Sequence, residues 1–138
     1  MTATLESTGT AHVSKGKLWT ARIMGGLVIL FMLMDSIFKL IPNDTVTAGT
    51  VELGYQAHHI PVLGVLGFIS ILLFAIPRTQ ILGAILLTGY FGGAIAIHVR
   101  LDNPLFSHIL FPVYLGVLAW GSLWLKNETL RKLIAGKK

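Results

Sequence analysis

Four long apolar stretches alternate with short polar segments along the chain. Each stretch holds 17 to 24 residues, and a helix that rises about 1.5 Å per residue needs roughly that length to cross a hydrocarbon core of about 30 Å. The pattern predicts an all-α membrane protein whose four transmembrane helices form an antiparallel bundle. The predicted spans cover approximately residues 18–41, 60–76, 80–97 and 107–125.

Proline and polar residues mark the ends of these spans. Pro42 breaks the first apolar stretch, and Pro77 ends the second. Only residues 77–79 join the second span to the third, so these two helices are expected to pack as an antiparallel hairpin. The loop after the first span is predicted to hold a short amphipathic segment around residues 51–57.

The two ends of the chain differ from the apolar middle. Residues 1–14 are small and polar without a period, which predicts a disordered tail. Residues 15–133 are expected to form one membrane domain, followed by a basic tail at 134–138. The stretch 126–138 is basic and weakly amphipathic, so we expect it to lie along an anionic membrane surface.

The charge distribution indicates a lipid bilayer as the partner and argues against nucleic acid. Only 12% of the residues are charged, against about a quarter in soluble domains. The net charge is +5, but the basic residues cluster at the edges of the apolar runs. The chain contains no cysteine, so it holds no disulfide and no thiolate-ligated cluster, and a redox role requires a borrowed cofactor.

The same basic residues predict the orientation. With four spans, both termini and the turn at Arg78 lie on one side of the membrane, and that side carries nine of the eleven lysines and arginines. Lys39 and Arg100 are left on the opposite side. Because cytoplasmic loops carry an excess of Lys and Arg, we expect both termini in the cytoplasm.

Ionisable residues are predicted to converge in the outer half of the bundle. Asp35 lies inside the first span, where an unpaired charge costs a few kcal/mol, and Lys39 follows it by four residues, on the same helical face. Arg100 is the alternative partner of Asp35. No tight histidine motif is present, so no metal site is predicted. The candidate ligand-binding residues are Asp35, Lys39, His98, Arg100, Asp102 and His108.

Glycines in the third and fourth spans are candidates for helix packing. Gly89 and Gly93 have G-x-x-x-G spacing, a pattern that lets two helices approach closely in lipid. Gly92 and Gly116 add small residues to the predicted contact faces.

Residues 76–131 closely resemble the DoxX-like family of small four-span bacterial membrane proteins. The motifs I-P-R-T, L-L-T-G-Y-x-G-G-A, H-x-R, P-L-F-x-H and F-P-V-Y occur there in one order, and Lys39-Leu40-Ile41-Pro42 matches the end of the family's opening helix. The resemblance implies a four-helix bundle in the bacterial cytoplasmic (inner) membrane, and many members have no assigned activity. The founding type is similar to the membrane subunit of a thiosulfate:quinone oxidoreductase, and distant eukaryotic relatives act as cargo receptors or assembly chaperones. The family signature carries over to His98, Arg100, Pro104, Phe106 and His108, without a catalytic assignment.

The sequence is compatible with three functions, and these include both enzymatic and non-enzymatic roles. The leading hypothesis is a protein that binds a quinone or another small ligand as an accessory subunit of a membrane redox system, with its polar site on the extracytoplasmic side. The second is a small proton-coupled transporter in which Asp35 changes protonation. The third is a non-enzymatic assembly or scaffold protein. Each is compatible with a partner membrane or redox subunit and with a homo-oligomer.

Overall fold

The computed structural model describes residues 14–41 and 43–136, and within these ranges every regular element is helical. Three short turns connect the longer helices: 3₁₀ turns at Ala57–His59 and Pro77–Thr79, and a π-helical turn at Leu105–Ile109. The α-helices are α1 (Lys15–Leu40), α2 (Asp44–Glu52), α3 (Ile60–Ala75), α4 (Gln80–Arg100), α5 (Phe111–Lys126) and α6 (Glu128–Ile134).

Four helical segments are long and apolar enough to cross a membrane, and three of them include the turn that precedes the α-helix. The four segments cover Lys15–Leu40, Ala57–Ala75, Pro77–Arg100 and Leu105–Lys126. The prediction of four apolar spans is therefore confirmed, and the chain is an all-α, four-helix membrane bundle. The observed helices differ from the predicted spans by a few residues at their ends, where capping decides the boundary.

The four spanning helices form a ring in which each helix contacts two others. Helix α1 packs against α3 and α5, and α4 packs against the same two helices from the other side. Neighbouring helices run antiparallel. Near the chain termini, Ser122 Oγ of α5 donates a buried hydrogen bond to Ala21 O of α1 at 2.7 Å, and Trp120 Nε1 of α5 donates to Thr88 Oγ1 of α4 at 2.7 Å. Such interhelical hydrogen bonds hold a bundle together in lipid, where apolar burial no longer drives association.

The half of the bundle that contains the chain termini is solidly packed. Its buried side chains interdigitate at the centre of the ring and leave little room between the helices. They include Val28, Ile71, Phe74, Ala84, Leu87, Ala119 and Leu123.

The closest glycine contacts within the bundle lie at positions other than Gly89, Gly92, Gly93 and Gly116. A Cβ at Gly89, Gly92 or Gly93 would meet no atom within 4 Å, and at Gly116 only a Phe91 ring carbon at 3.9 Å. Gly89, Gly92 and Gly93 thus make no close contact within the bundle, because they face outward and are exposed, whereas Gly116 is in ordinary van der Waals contact with Phe91. The close approaches occur at other glycines, among them Gly25 against Ser122, Gly67 against Ser36, Gly83 against the Phe74 backbone and Gly121 against Met24.

The loop after α1 also differs from its prediction. The helix there covers Asp44–Glu52, several residues earlier than the segment expected at 51–57. Its start is set by Asn43, whose Oδ1 accepts a hydrogen bond from Thr45 N at 2.9 Å. It ends before Gly54, whose φ of +97° is a left-handed conformation that glycine adopts without strain.

The structure describes only parts of the two predicted tails. Residues 1–13 of the predicted disordered tail and residues 137–138 of the predicted basic tail lie outside the described residues. Ser14 caps α1, because its Oγ accepts a hydrogen bond from Lys17 N at 3.2 Å. At the other end, Arg131 Nη1 of α6 donates to Trp124 O and Leu125 O, which ties α6 to the last turn of α5.

Candidate ligand-binding site

A cavity of about 370 Å³ lies in the half of the bundle away from the chain termini. The C-terminal parts of α1 and α4 and the N-terminal parts of α3 and α5 form its wall. Helix α2 and the loop that follows it cover the polar end of the cavity. Binding cavities for small molecules usually measure about 300 to 1,000 Å³, so this one has the size of a ligand site.

Three polar side chains meet in the wall of the cavity. Lys39 Nζ donates to Asp35 Oδ2 at 2.6 Å and to the Tyr90 hydroxyl at 2.8 Å. The Tyr90 hydroxyl in turn donates weakly to Asp35 Oδ2 at 3.4 Å. We call these residues the triad. Because Asp35 and Lys39 belong to α1 and Tyr90 to α4, the triad links two helices that face each other across the ring.

Local helix geometry explains how the triad forms. Asp35 and Lys39 are four residues apart on α1, so their side chains lie on one helical face, with the acid nearer the helix start as is favourable. Their side chains are largely buried, with 30% of Asp35 and 15% of Lys39 exposed. A charge in this setting needs a partner, and each supplies the other.

The triad has spare hydrogen-bonding capacity and no net charge. An ammonium group has three donors, and the triad uses two of them. Among the hydrogen bonds of residues 14–41 and 43–136, none involves Asp35 Oδ1. The triad therefore offers one donor and one acceptor to a ligand. An ionic ligand would bring an uncompensated charge into an apolar cavity, so a neutral polar group fits best.

Apolar side chains form most of the remaining wall. Phe31 of α1 and Phe111 of α5 contact each other edge to face, with ring centroids 5.0 Å apart. The other apolar lining residues are Met32, Leu53, Leu63, Leu66, Phe91, Ala94, Ile97, Pro112 and Leu115. The cavity thus combines one polar patch with an apolar wall, which suits a molecule with a polar head and an apolar body.

A second, more polar cleft of about 540 Å³ lies beyond the cavity, towards the same end of the bundle. The rings of His98 and His108 face each other there with centroids 5.5 Å apart. Asn103 Nδ2 lies 2.7 Å from His98 Nδ1, and Ser107 Oγ lies 2.7 Å from His108 Nδ1. His98 and Leu53 line both spaces, so they form the partition between cleft and cavity.

The predicted site residues are therefore divided between two layers. Asp35 and Lys39 line the cavity, His98 lies at the partition, and His108 lines the cleft. The alternative prediction, an ion pair between Arg100 and Asp35, is wrong, because Asp35 pairs with Lys39. Arg100 Nη2 instead donates to Leu53 O at 3.1 Å, across the end of α2. Asp102 is exposed in the turn after α4 with a φ of 52°, and lines neither space.

No three His, Asp or Glu side chains in the described ranges converge in a way that could hold a metal ion. The histidine pair and Glu52 border the same cleft, but they do not form such a group.

Tyr90 is the site residue that the charge pattern did not reveal. Its signal in the sequence is a tyrosine in the middle of an apolar span, since a hydroxyl at that depth needs a hydrogen-bond partner. Thr50 and Tyr55 of the loop region also line the cavity, and neither was predicted. Their contribution depends on where α2 lies, which hydrophobic periodicity does not encode.

These features define a class: a four-span helical membrane protein with a ligand-sized cavity in one half of its bundle. Within that class the sequence is specific, because the model of the DoxX-like family matches residues 23–122. The chain belongs to the DoxX-like family, as its motifs predicted. No curated protein and no solved structure matches it. Family membership supports an integral membrane protein and assigns no activity.

Proposed function

We propose that this protein binds a small, uncharged amphiphile with a carbonyl-bearing ring, of the quinone class, in the cavity beside the triad. The observation that carries the proposal is a neutral triad with a free donor and a free acceptor in the wall of an otherwise apolar cavity of about 370 Å³. We further propose that it does so as an accessory subunit of a membrane redox system.

The cavity has the chemistry that a quinone requires. A quinone ring is flat and uncharged, and its carbonyl oxygens accept hydrogen bonds, for which Lys39 has one N–H left. The free Asp35 oxygen can accept a hydrogen bond from a hydroxyl of the reduced quinol. The aromatic pair Phe31 and Phe111 offers apolar surface to the ring. A bound quinone supplies two-electron redox chemistry. Because the chain has no cysteine, any thiolate-held cluster that exchanges electrons with it belongs to a partner subunit.

A cavity-filling substitution tests this proposal. Leu63→Trp puts an indole into the cavity from α3, so we expect it to abolish binding of a short-chain ubiquinone analogue. The readout is the rise in melting temperature of the detergent-solubilised protein on adding the analogue. Wild type should show this rise, and Leu63→Trp should lose it.

Leu72→Trp is the matched control, because Leu72 lies on the same helix, is 41% exposed and does not line the cavity. It should keep the wild-type response. An equal response in wild type and Leu63→Trp would place the ligand elsewhere, and the absence of any response in wild type would refute the proposed ligand class.

We also propose that the cavity faces the extracytoplasmic side of the bacterial inner membrane, with both termini in the cytoplasm. The proposal is supported by the nine of eleven basic residues that the four-span topology places with the termini. The cavity lies in the opposite half of the bundle.

The absence of native cysteine gives a direct test of this orientation. Ser107→Cys and Ser14→Cys introduce one thiol each at exposed positions at opposite ends of the bundle. In intact spheroplasts, a membrane-impermeant maleimide should label Ser107→Cys at once and Ser14→Cys only after lysis. The reverse pattern would contradict the proposed orientation.

A further inference from the structure

Helices α3 and α4 are in contact at their hairpin and separate beyond it. Near the turn at Pro77–Thr79, a Cβ at Gly83 would lie 2.2 Å from Phe74 N and 2.5 Å from its Cα, so the two backbones touch. Further along α4, a Cβ at Gly89 or Gly93 would meet no atom within 4 Å. The pair is therefore closed at the hairpin and open at the level of the cavity.

The cavity reaches the outer surface of the bundle through this opening. Gly89 and Gly93 line the cavity and are exposed. Each glycine is two residues from Phe91, and two residues of an α-helix point in directions about 200° apart. Phe91 is buried in the core. Gly89 and Gly93 thus lie on the outward side of α4. Across the gap on α3, Leu66 lines the same cavity and is 52% exposed.

The surface around this opening is apolar. Close to it on α3 and α4, Val62, Ile69, Ile85 and Leu86 are all exposed large hydrophobic side chains. In a four-span protein such a surface faces the acyl chains of the bilayer. A molecule dissolved in the membrane meets the opening directly.

The polar end of the cavity is covered by contrast. Leu53 and His98 separate the cavity from the outer cleft, and Thr50 and Tyr55 complete this roof. The Arg100 Nη2 to Leu53 O hydrogen bond fastens the end of α2 to α4. A solute arriving from water meets this roof before it reaches the triad.

We infer that the ligand enters sideways from the membrane, through a slot between α3 and α4 that Gly89 and Gly93 keep free of side chains. This inference rests on the proposed function and narrows it, because the ligand class becomes a bilayer-dissolved amphiphile rather than a water-soluble metabolite. It also gives the two glycines a role: a side chain at either position covers the slot.

The test compares two neighbouring glycines on α4. Gly93→Leu covers the slot, whereas Gly92→Leu places the same side chain on an exposed position that does not line the cavity, with no atom within 4 Å of its Cβ. Both are made in a Tyr55→Trp background, so that an indole in the cavity wall is quenched when a quinone binds. The protein is reconstituted in vesicles and mixed with vesicles that carry a long-tailed ubiquinone.

We expect the association rate to fall at least tenfold in Gly93→Leu and in a second variant, Gly89→Leu, and to change less than twofold in Gly92→Leu. Each variant's melting temperature without quinone should stay within a few degrees of the parent. Equal rates in parent and Gly93→Leu would overturn the lateral slot while leaving binding intact. A rate that rises in Arg100→Ala and is unaffected in Gly93→Leu would assign entry to the roof instead. No quenching in the parent would overturn the proposed function itself.

Discussion

Lys39→Met is expected to lower the free energy of unfolding by about 2 kcal/mol, because it leaves the Asp35 carboxylate without its ammonium partner in a largely buried site. Removing one member of a fully buried ion pair costs about 3 to 5 kcal/mol, and the 30% exposure of Asp35 reduces that figure. The quantity to measure is unfolding of the protein in mixed micelles by titration with a denaturing detergent.

The double variant Asp35→Leu/Lys39→Met distinguishes the cost of leaving one charge unpaired from the net contribution of the ion pair to stability. It removes both charges together, so we expect it to recover most of the stability lost in Lys39→Met. It should also lose the quinone response, because the triad's donor and acceptor are gone.

The chain contains a matched control for this prediction. Lys132 and Glu128 of α6 are also four residues apart, with the charged atoms 3.3 Å apart, but Lys132 is 56% exposed. Exposed pairs contribute about 0 to 1 kcal/mol, so Lys132→Met should change stability by roughly 0.5 kcal/mol or less. Equal effects of Lys39→Met and Lys132→Met would show that the triad is solvated and not a buried site.

Gly83→Ala is expected to destabilise the protein by about 3 kcal/mol through steric overlap. The added methyl group would lie 2.2 Å from Phe74 N, and a backbone atom cannot turn aside as a side chain can. Helices α3 and α4 would have to separate at the point where their packing is closest. The measurement is the same detergent titration.

Gly92→Ala has the opposite expected sign. It adds the same methyl group to the same helix, where no atom lies within 4 Å. Alanine is favoured over glycine in helices by roughly 0.5 to 1 kcal/mol, so this variant should be unchanged or slightly more stable. If Gly83→Ala and Gly92→Ala behaved alike, α3 and α4 would not be packed backbone to backbone.

The bundle was predictable from the sequence because its causes are local. Apolar length fixes the spans, and Pro77 fixes the hairpin within a few residues. The Asp35 to Lys39 contact was predictable for the same reason, since a separation of four residues on one helix determines the geometry.

The rest of the site depends on relations between helices that a single sequence does not specify. Tyr90 joins the triad because α4 faces α1 across the ring, 51 residues away from Lys39 along the chain. The sequence predicts Arg100 as an alternative partner for Asp35, but Arg100 instead donates a hydrogen bond to the Leu53 carbonyl at the end of α2. That carbonyl is available because α2 ends at a left-handed Gly54.

The glycines illustrate the same limit. The spacing of Gly89 and Gly93 is that of a packing motif, and only the rotation of α4 in the ring shows that they face outward beside the cavity. Gly83 has no partner at motif spacing in α4, yet it makes the closest backbone contact with Phe74. A small residue in the sequence shows that a helix surface lacks a large side chain at that position. Whether a neighbouring helix or an opening lies next to that position depends on how the helices are arranged in the fold.

The most direct test of quinone binding is whether a quinone co-purifies with the native protein when it is extracted from the membrane. The full chain is purified in mild detergent from bacterial membranes, its bound lipids are extracted, and quinones are quantified by mass spectrometry against the same preparation of Leu63→Trp. We expect a near-stoichiometric amount of quinone in the wild-type protein and its loss in the variant. Wild-type protein that stays folded and carries no more quinone than Leu63→Trp would contradict this expectation.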